Sequence, residues 1–277
     1  MAKKFDLKKF ASNNAIIILI AVLALFVGMT TQNFFTTRNL SNLIVNMAPR
    51  FIIACGVSGC LITKGTDLSA GRQVGLAACL SAMLLQSVDY SARMLPWLPD
   101  IPWPLALLIV MAIMAVFGAI NGVIIAFLKV PPFIATLGMQ TIVYGLCSLI
   151  TNNQPMGGYK KSYLNVASGK LFNNDFLPFL LFFALGGFLV GAKAGGASTA
   201  TGLGYELEAI AACTIGGVSA NGGVGTVPGV LVGVLVFEVL KICLQFMGVD
   251  PAYTYIAQGL VIIVAVALDL RKYLAKK

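Results

Sequence analysis

Histidine is absent from this chain, and charged residues of both signs make up only 10% of it. Without histidine the chain lacks the commonest metal ligand and the commonest general base, which argues against zinc hydrolases and serine-triad enzymes. Its six cysteines fall inside apolar runs without CxxC spacing, so neither a zinc ribbon nor a thioredoxin-type site is indicated. We therefore expect no enzyme activity and no metal or cofactor bound by the chain itself.

The chain is rich in hydrophobic residues, which make up 58% of it, and its mean hydropathy is +0.91. Soluble domains carry about 25% charged residues, so this composition indicates an integral membrane protein. Because a helix needs about 20 apolar residues to cross a bilayer, the pattern predicts an all-α polytopic bundle of about eight transmembrane helices in a single domain, 1–277. The long apolar runs are 15–29, 43–63, 70–88, 104–127, 133–150, 176–192, 227–247 and 252–268, and a ninth, 205–218, is short.

The net charge of +9 is concentrated at the two ends of the chain. Residues 1–14 carry four lysines before the first apolar run, and residues 271–277 carry four basic side chains after the last one. Basic residues that flank membrane spans are kept on the cytoplasmic side. We therefore predict that both termini are cytoplasmic, which requires an even number of crossings, and that the chain meets a lipid bilayer and no nucleic acid.

The stretch 64–75, Lys-Gly-Thr-Asp-Leu-Ser-Ala-Gly-Arg-Gln-Val-Gly, places charge between two apolar runs. Ionisable groups in such a place mark a transport pathway or a specific helix contact. Asp67 and Ser69 directly precede an apolar run, so they are candidates for a translocation pathway and, equally, for a helix cap. Arg72 is a further candidate for the pathway or its gate; because it opposes the dipole of the same helix, we expect it to pair with Asp67 or with a group elsewhere.

Other polar residues interrupt apolar sequence and are candidates for a pathway or a gate. Glu206 and Glu208 open the 205–218 run, where they suit either proton coupling or stabilisation of a helix dipole. Asn121 is placed to hydrogen-bond across helices.

Three charged residues lie within the second and seventh long runs. Glu238 and Lys241 lie three residues apart, which predicts an ion pair within one helix. Arg50 interrupts the second run, and we expect it either to extend towards the membrane surface or to line an aqueous vestibule.

Glycines recur at four-residue spacing within the apolar runs, which lets helices approach closely in lipid. This pattern predicts tight packing, either static or between helices that shift against one another. The residues are Gly71 and Gly75, Gly118 and Gly122, Gly187 and Gly191, and the triplet Gly225, Gly229 and Gly233.

Several motifs, taken in order, resemble one known family. They are 65–71 (Gly-Thr-Asp-Leu-Ser-Ala-Gly), Asn121-Gly122, 129–138 (Lys-Val-Pro-Pro-Phe-Ile-Ala-Thr-Leu-Gly), 205–212 (Tyr-Glu-Leu-Glu-Ala-Ile-Ala-Ala) and 216–225 (Gly-Gly-Val-Ser-Ala-Asn-Gly-Gly-Val-Gly). Together they resemble the permease family of bacterial monosaccharide ABC importers, the ribose, xylose and galactose group, and the first motif is most similar to that of the galactose members. The resemblance runs from about residue 10 to the carboxyl terminus.

The resemblance implies a multi-pass permease in the bacterial inner membrane that forms a homodimer or pseudo-dimer. A periplasmic sugar-binding protein would dock outside, and a separate ABC ATPase subunit, which binds the ATP, would dock inside. The permease of such an importer offers a path across the membrane and is not itself an enzyme.

The chain departs from the family after the run 176–192. Members of the family continue into a cytoplasmic stretch that forms the short helix on which the ATPase docks, whereas here the sequence resembles the outer end of the returning helix. We expect this shortening to impair coupling to the ATPase, and we expect the 205–218 run to be re-entrant, which would keep the number of crossings even. The alternatives are an ATP-independent sugar channel or facilitator, a non-functional shortened permease, and, least favoured, a membrane-embedded enzyme.

Overall fold

The computed structural model describes residues 14–168, 196–219 and 222–274. Within these ranges the secondary structure is helical, and only two isolated β-bridges are present. The helices are α1 (Ala15–Thr30), α2 (Thr37–Ile62), α3 (Ala70–Leu84), α4 (Trp103–Ala126), α5 (Pro132–Thr151), α6 (Lys161–Ser168), α7 (Tyr205–Ile215), α8 (Val227–Phe246) and α9 (Pro251–Leu274).

Seven of the eight long apolar runs form helices, namely α1 to α5, α8 and α9. The remaining run, 176–192, lies outside the described residues, as do Gly187 and Gly191. Four of the helices, α2, α4, α5 and α8, are long and apolar enough to cross a membrane by length and composition. The predicted all-α, multi-pass membrane fold is therefore confirmed.

The bundle has two ends, which we name after residues that lie there. At the Lys64 end, the end of α2 meets the start of α5: Gly65 packs against Pro132, and the Leu68 amide donates to Thr136 Oγ1 at 3.2 Å. At the Phe246 end, the first turns of α2 and the last turn of α8 line a common cleft. The connections between helices therefore alternate between these two ends.

The described residues 197–219 and 222–223, which we call the 197–223 segment, lead from one end of the bundle to the other. Ala197 and Met156 exchange backbone hydrogen bonds of 2.7 and 2.9 Å beyond the carboxyl end of α5, whereas the Gly223 amide donates to the Ile62 carbonyl at the Lys64 end, at 2.9 Å. This segment thus does not turn back as a re-entrant segment would. Among its described residues only those of α7 are helical: Gly204 adopts a positive φ of 80° directly before the helix, and Gly217 adopts one of 86° directly after the C-cap residue Gly216.

With this segment, the described residues pass between the two ends of the bundle eight times: through α1 to α5, through 197–223, and through α8 and α9. Eight is an even number, so the start of α1 and the end of α9 lie at the same end. α1 ends where α2 starts, at the Phe246 end, so α1 itself begins at the Lys64 end. α9 begins at the Phe246 end, shortly after α8, so it ends at the Lys64 end as well.

Glycines bring backbones into close contact at two crossings. A side-chain carbon at Gly233 would overlap the Ala212 carbonyl, and one at Gly229 would overlap that of Gly216, so α8 lies directly against α7. A carbon at Gly75 would overlap the carbonyl of Thr201, in the turn that precedes α7.

The other glycines of the predicted packing set have different surroundings. Gly71 faces the Gly202 carbonyl, and Gly225 lies against the side chain of Ile62. Gly118 and Gly122 on α4 have no atom within 4 Å of the position that a side-chain carbon would take, so among the described residues they support no close helix contact.

Candidate functional site

Four charged side chains meet inside the bundle, where α2, α7 and α8 come together. Arg50 Nε lies 3.1 Å from Glu208 Oε2, and Arg50 Nη1 lies 3.1 Å from Glu238 Oε2. Lys241 Nζ lies 2.6 Å from Glu208 Oε2 and 3.7 Å from Glu238 Oε2. We call Arg50, Glu208, Glu238 and Lys241 the charge cluster; its two cations and two anions balance.

The charge cluster differs from what the sequence predicted for its members. Glu238 and Lys241 do pair within α8, but the shorter contact of Lys241 is to Glu208 on α7. Arg50 was expected to extend to the membrane surface or to line a vestibule; instead it pairs with both carboxylates and lies 5.2 Å from the ring centre of Tyr205. The reason is that α7 and α8 present two acceptors on the side of α2 that carries Arg50.

Burial makes these ion pairs depend on one another. The Glu238 side chain is only 4% exposed, and those of Glu208 and Lys241 are 15% and 16% exposed. Removing one partner of a buried pair leaves an unpaired charge, at a cost of about 3–5 kcal/mol. The charge cluster therefore holds α2, α7 and α8 in one arrangement.

Asp67 and Ser69 shape the loop that leads into α3. Asp67 Oδ1 accepts hydrogen bonds from the Ser69 amide at 2.8 Å and from the Ser69 hydroxyl at 2.6 Å. Ser69 Oγ in turn accepts from Gln73 Nε2 at 2.7 Å and from Asn121 Nδ2 at 3.1 Å. Ser69 occupies the N-cap position without a side-chain cap hydrogen bond, and Asp67 bonds to the Ser69 amide and not to an amide of the first helical turn, so neither side chain caps α3 in the usual way.

The same loop is held by Thr136, which sequence reasoning missed. Thr136 Oγ1 accepts from the Leu68 amide at 3.2 Å and lies 3.1 Å from the Thr66 carbonyl and 2.8 Å from that of Pro132. The sequence did hold a signal for this contact, namely a threonine one turn into an apolar helix. A hydroxyl at that position can hydrogen-bond both to its own helix and to a neighbouring loop.

Arg72 finds its partners away from Asp67. Its Nη1 donates to the Thr199 carbonyl at 2.8 Å, and its guanidinium lies 4.6 Å from the ring centre of Tyr144. It thus joins α3 to α5 and to the turn that precedes α7. A carbonyl and an aromatic face both stabilise a cation in an apolar setting.

Glu206 and Glu208 occupy different environments although only one residue separates them. Glu208 belongs to the charge cluster, whereas Glu206 is 3% exposed and faces Gly71. Within the described residues, Glu206 Oε2 has no hydrogen-bond partner. The two acids therefore do not form one proton-relay site with each other.

The predicted site residues fall into three groups. Asp67, Ser69 and Asn121 share one hydrogen-bonded network, Arg72 and Glu206 flank the turn before α7, and Glu208 lies in the charge cluster. In each group the polar atoms mainly engage other protein groups, an arrangement suited to holding a bundle together and not to covalent chemistry. A role of these residues in a translocation pathway stays a prediction.

An apolar bundle of eight passages with charged side chains paired in its interior has the architecture of a membrane permease. The chain belongs to the family described as branched-chain amino acid transport system / permease component, whose profile matches residues 39–185 and 181–266. No solved structure matches the chain.

Among curated proteins the chain is similar to import permeases for sugars. It is 38% identical to the galactose/methyl galactoside import permease protein of Haemophilus influenzae and 38% identical to that of Escherichia coli, each over 99% of this chain and 98% of the relative. It is 27% identical to the ribose import permease protein of Haemophilus influenzae, over 99% of this chain and 97% of the relative.

These alignments also locate a difference in length. The alignment with the Haemophilus influenzae galactose permease has 332 positions, which exceeds the 277 residues of this chain by 55, so at least 55 positions have no counterpart here. The family profile matches in two segments that meet at residues 181–185. Both observations agree with an internal segment that the relatives have and this chain lacks.

Proposed function

We propose that this chain is the membrane-spanning permease subunit of an ABC importer that carries a monosaccharide of the galactose/methyl galactoside type. The observation that carries the proposal is the 38% identity to two galactose/methyl galactoside import permeases over 99% of this chain. The paired charges inside an apolar bundle support it, because ionisable groups in membrane helices are retained where a transport function requires them.

The partners follow from the same assignment. An ABC ATPase subunit supplies ATP binding and hydrolysis, a periplasmic sugar-binding protein delivers the sugar, and a second copy of the chain completes the permease as a homodimer. The inner membrane of a bacterium is the corresponding location.

Both termini are assigned to the cytoplasm, which places the Lys64 end inside and the Phe246 end outside. The even number of passages supports this orientation, and so does the basic sequence at both ends of the chain. Lys160, which this orientation places outside, donates to the Ile101 carbonyl at 2.8 Å and pairs with Asp100, so its charge is locally compensated. Burial, with the nearby Arg93 cation, lowers the pKa of Lys160.

We further propose that coupling to the ATPase is impaired. A partner subunit shifts a conformational equilibrium only through contacts that differ between the two states, and we place the positions that this chain lacks near the junction at 181–185, where the two matches to the family profile overlap. ATP hydrolysis then lacks the main contact through which it would act on this subunit. The same shortening favours the alternative function, an ATP-independent sugar facilitator.

Uptake of labelled galactose in cells that lack only their own permease separates these functions. The chain and a full-length relative are compared at matched membrane levels, with and without vanadate. Low uptake by this chain despite normal insertion supports impaired coupling. Vanadate-resistant uptake would establish the facilitator instead, and vanadate-sensitive uptake equal to that of the relative would overturn impaired coupling.

A further inference from the structure

An open cleft of about 670 Å³ lies at the Phe246 end, between the first turns of α2 and the last turn of α8. Small-molecule sites typically measure about 300–1,000 Å³. Five of the ten lining residues carry a side-chain amide, and only one, Arg38, is charged. So dense a set of neutral amides within a mainly apolar chain calls for a ligand or a structural explanation.

Hydrogen bonding within the protein explains only part of this set. Asn39 Nδ2 donates to the Phe34 carbonyl at 2.7 Å, which fixes the turn before α2. Asn42 and Gln245 are both exposed, on opposite walls of the cleft, and neither side chain forms a hydrogen bond to another residue in the described part of the chain. Their donors and acceptors therefore remain available to a ligand.

The chemistry of the cleft matches a neutral polyhydroxyl compound. A side-chain amide offers both donors and acceptors, as a hydroxyl group does, so neighbouring amides can serve several hydroxyls at once. Phe246, held edge-to-face against Phe34 at 5.3 Å, adds an apolar surface of the kind that the C–H face of a sugar ring requires. A site built for an anion would carry more cations than the single Arg38.

The cleft also continues towards the interior of the bundle. Asn46, on the same face of α2 as Asn39 and Asn42, accepts a hydrogen bond at its carbonyl from Arg50 Nη1 at 3.1 Å. On the facing helix, Gln245 lies one turn from Lys241. Polar residues on both walls thus lead from the cleft to the charge cluster.

We propose that this cleft is the outer mouth of the sugar path, where Asn42 and Gln245 bind the hydroxyls of a monosaccharide. This inference rests on the proposed function and deepens it by naming where the sugar first contacts the permease. Binding at the cleft does not require the ATPase, so it can be tested even where transport is uncoupled.

The test measures protection of a cysteine in the cleft from a membrane-impermeant thiol reagent. Asn42→Cys and Gln245→Cys are made in the full chain, which is expressed in intact cells and compared with the parent chain as the blank. Ser41→Cys, on the same turn of α2 but outside the cleft lining, is the matched control. Labelling rates are recorded with galactose, with ribose and with an equal osmolarity of betaine.

Both cleft cysteines are expected to react from outside, and galactose is expected to slow their labelling while betaine does not. At about ten times its Kd the sugar should slow labelling about tenfold, because only the unoccupied fraction reacts. The Ser41→Cys rate should not change. If neither sugar changes the labelling rate of either cleft variant, the sugar site is wrong. That result would leave the proposed function untouched, because the uptake measurement tests it separately.

Two other outcomes would also overturn the inference. Labelling of the cleft variants from the cytoplasmic side alone would place the cleft at the wrong membrane face. Protection that requires an added periplasmic protein, with no effect of sugar alone, would assign the cleft to a protein partner.

Discussion

Lys241 Nζ lies 2.6 Å from Glu208 Oε2 on α7, closer than the 3.7 Å that separates it from Glu238 on its own helix. The longer contact is the one that spacing along α8 predicts. The shorter one depends on Gly229 and Gly233, whose missing side chains let α8 lie against α7. Close backbone packing and ion pairing therefore support the same helix crossing.

We expect Glu208→Gln to destabilise the protein by about 3 kcal/mol, because it leaves Arg50 and Lys241 facing a single buried carboxylate. Adding Lys241→Gln restores the charge balance, so the double variant should be more stable than Glu208→Gln alone. Denaturation of the purified proteins in detergent measures both values. Additive effects of the two substitutions would show that these side chains do not interact.

Gly233→Ala should lower the free energy of unfolding by about 1–3 kcal/mol, since the new methyl group overlaps the Ala212 carbonyl and α8 must move away from α7. Gly118→Ala is the matched control: Gly118 lies within a helix, and in the described part of the chain a side-chain carbon there would meet no atom within 4 Å apart from its own helix backbone. Alanine favours a helix over glycine by about 1 kcal/mol, so the control should be neutral or stabilising. Equal losses in both variants would contradict close packing at Gly233 as the cause.

Thr136→Val keeps the shape of the side chain but removes the acceptor for the Leu68 amide, and we expect a loss of about 1–2 kcal/mol. Thr141→Val on the same helix is the control, because within the described residues the Thr141 hydroxyl donates only to the Leu137 carbonyl of its own helix. Thermal unfolding in detergent compares the two. If both variants lose the same stability, Thr136 does not hold the Asp67 loop.

The orientation is tested with reporter fusions. Alkaline phosphatase, active only outside the cytoplasm, should be inactive after the carboxyl terminus and active when fused after Asp89, in the loop that follows α3. Green fluorescent protein should give the opposite pattern. Phosphatase activity at the carboxyl terminus would contradict an even number of crossings with both ends inside.

Periodicity and apolar length predicted the helices well, because the bilayer constrains each span locally. They did not predict the partners of the polar residues: Arg50 pairs with Glu208 across 158 positions, and Arg72 reaches the Thr199 carbonyl across 127. Such pairs depend on how helices cross, which no local pattern encodes. Helix periodicity could, however, have revealed one polar face of α2, because its asparagines are spaced three and four residues apart. They are Asn39, Asn42 and Asn46.

The 197–223 segment shows a second limit of sequence reasoning. We expected the 205–218 run to be re-entrant because that would keep the number of crossings even, and its helical part, 205–215, is too short to cross a membrane by itself. Non-helical residues complete the passage through contacts with other helices, and irregular backbone is tolerated at membrane depth only where it is buried in protein or lines a water-filled cavity. Thr201, against Gly75, is one such contact.

The most direct test of the central claim restores the missing segment. The residues of the Escherichia coli relative that have no counterpart in this chain are inserted at the junction near 181–185, and labelled galactose uptake is measured in cells that lack only their own permease, at matched membrane levels. The account predicts little uptake by the chain alone and vanadate-sensitive uptake once the segment is present. Equal uptake with and without the segment would contradict impaired coupling, and no uptake by either, while the relative transports normally, would contradict the assignment as a galactose permease.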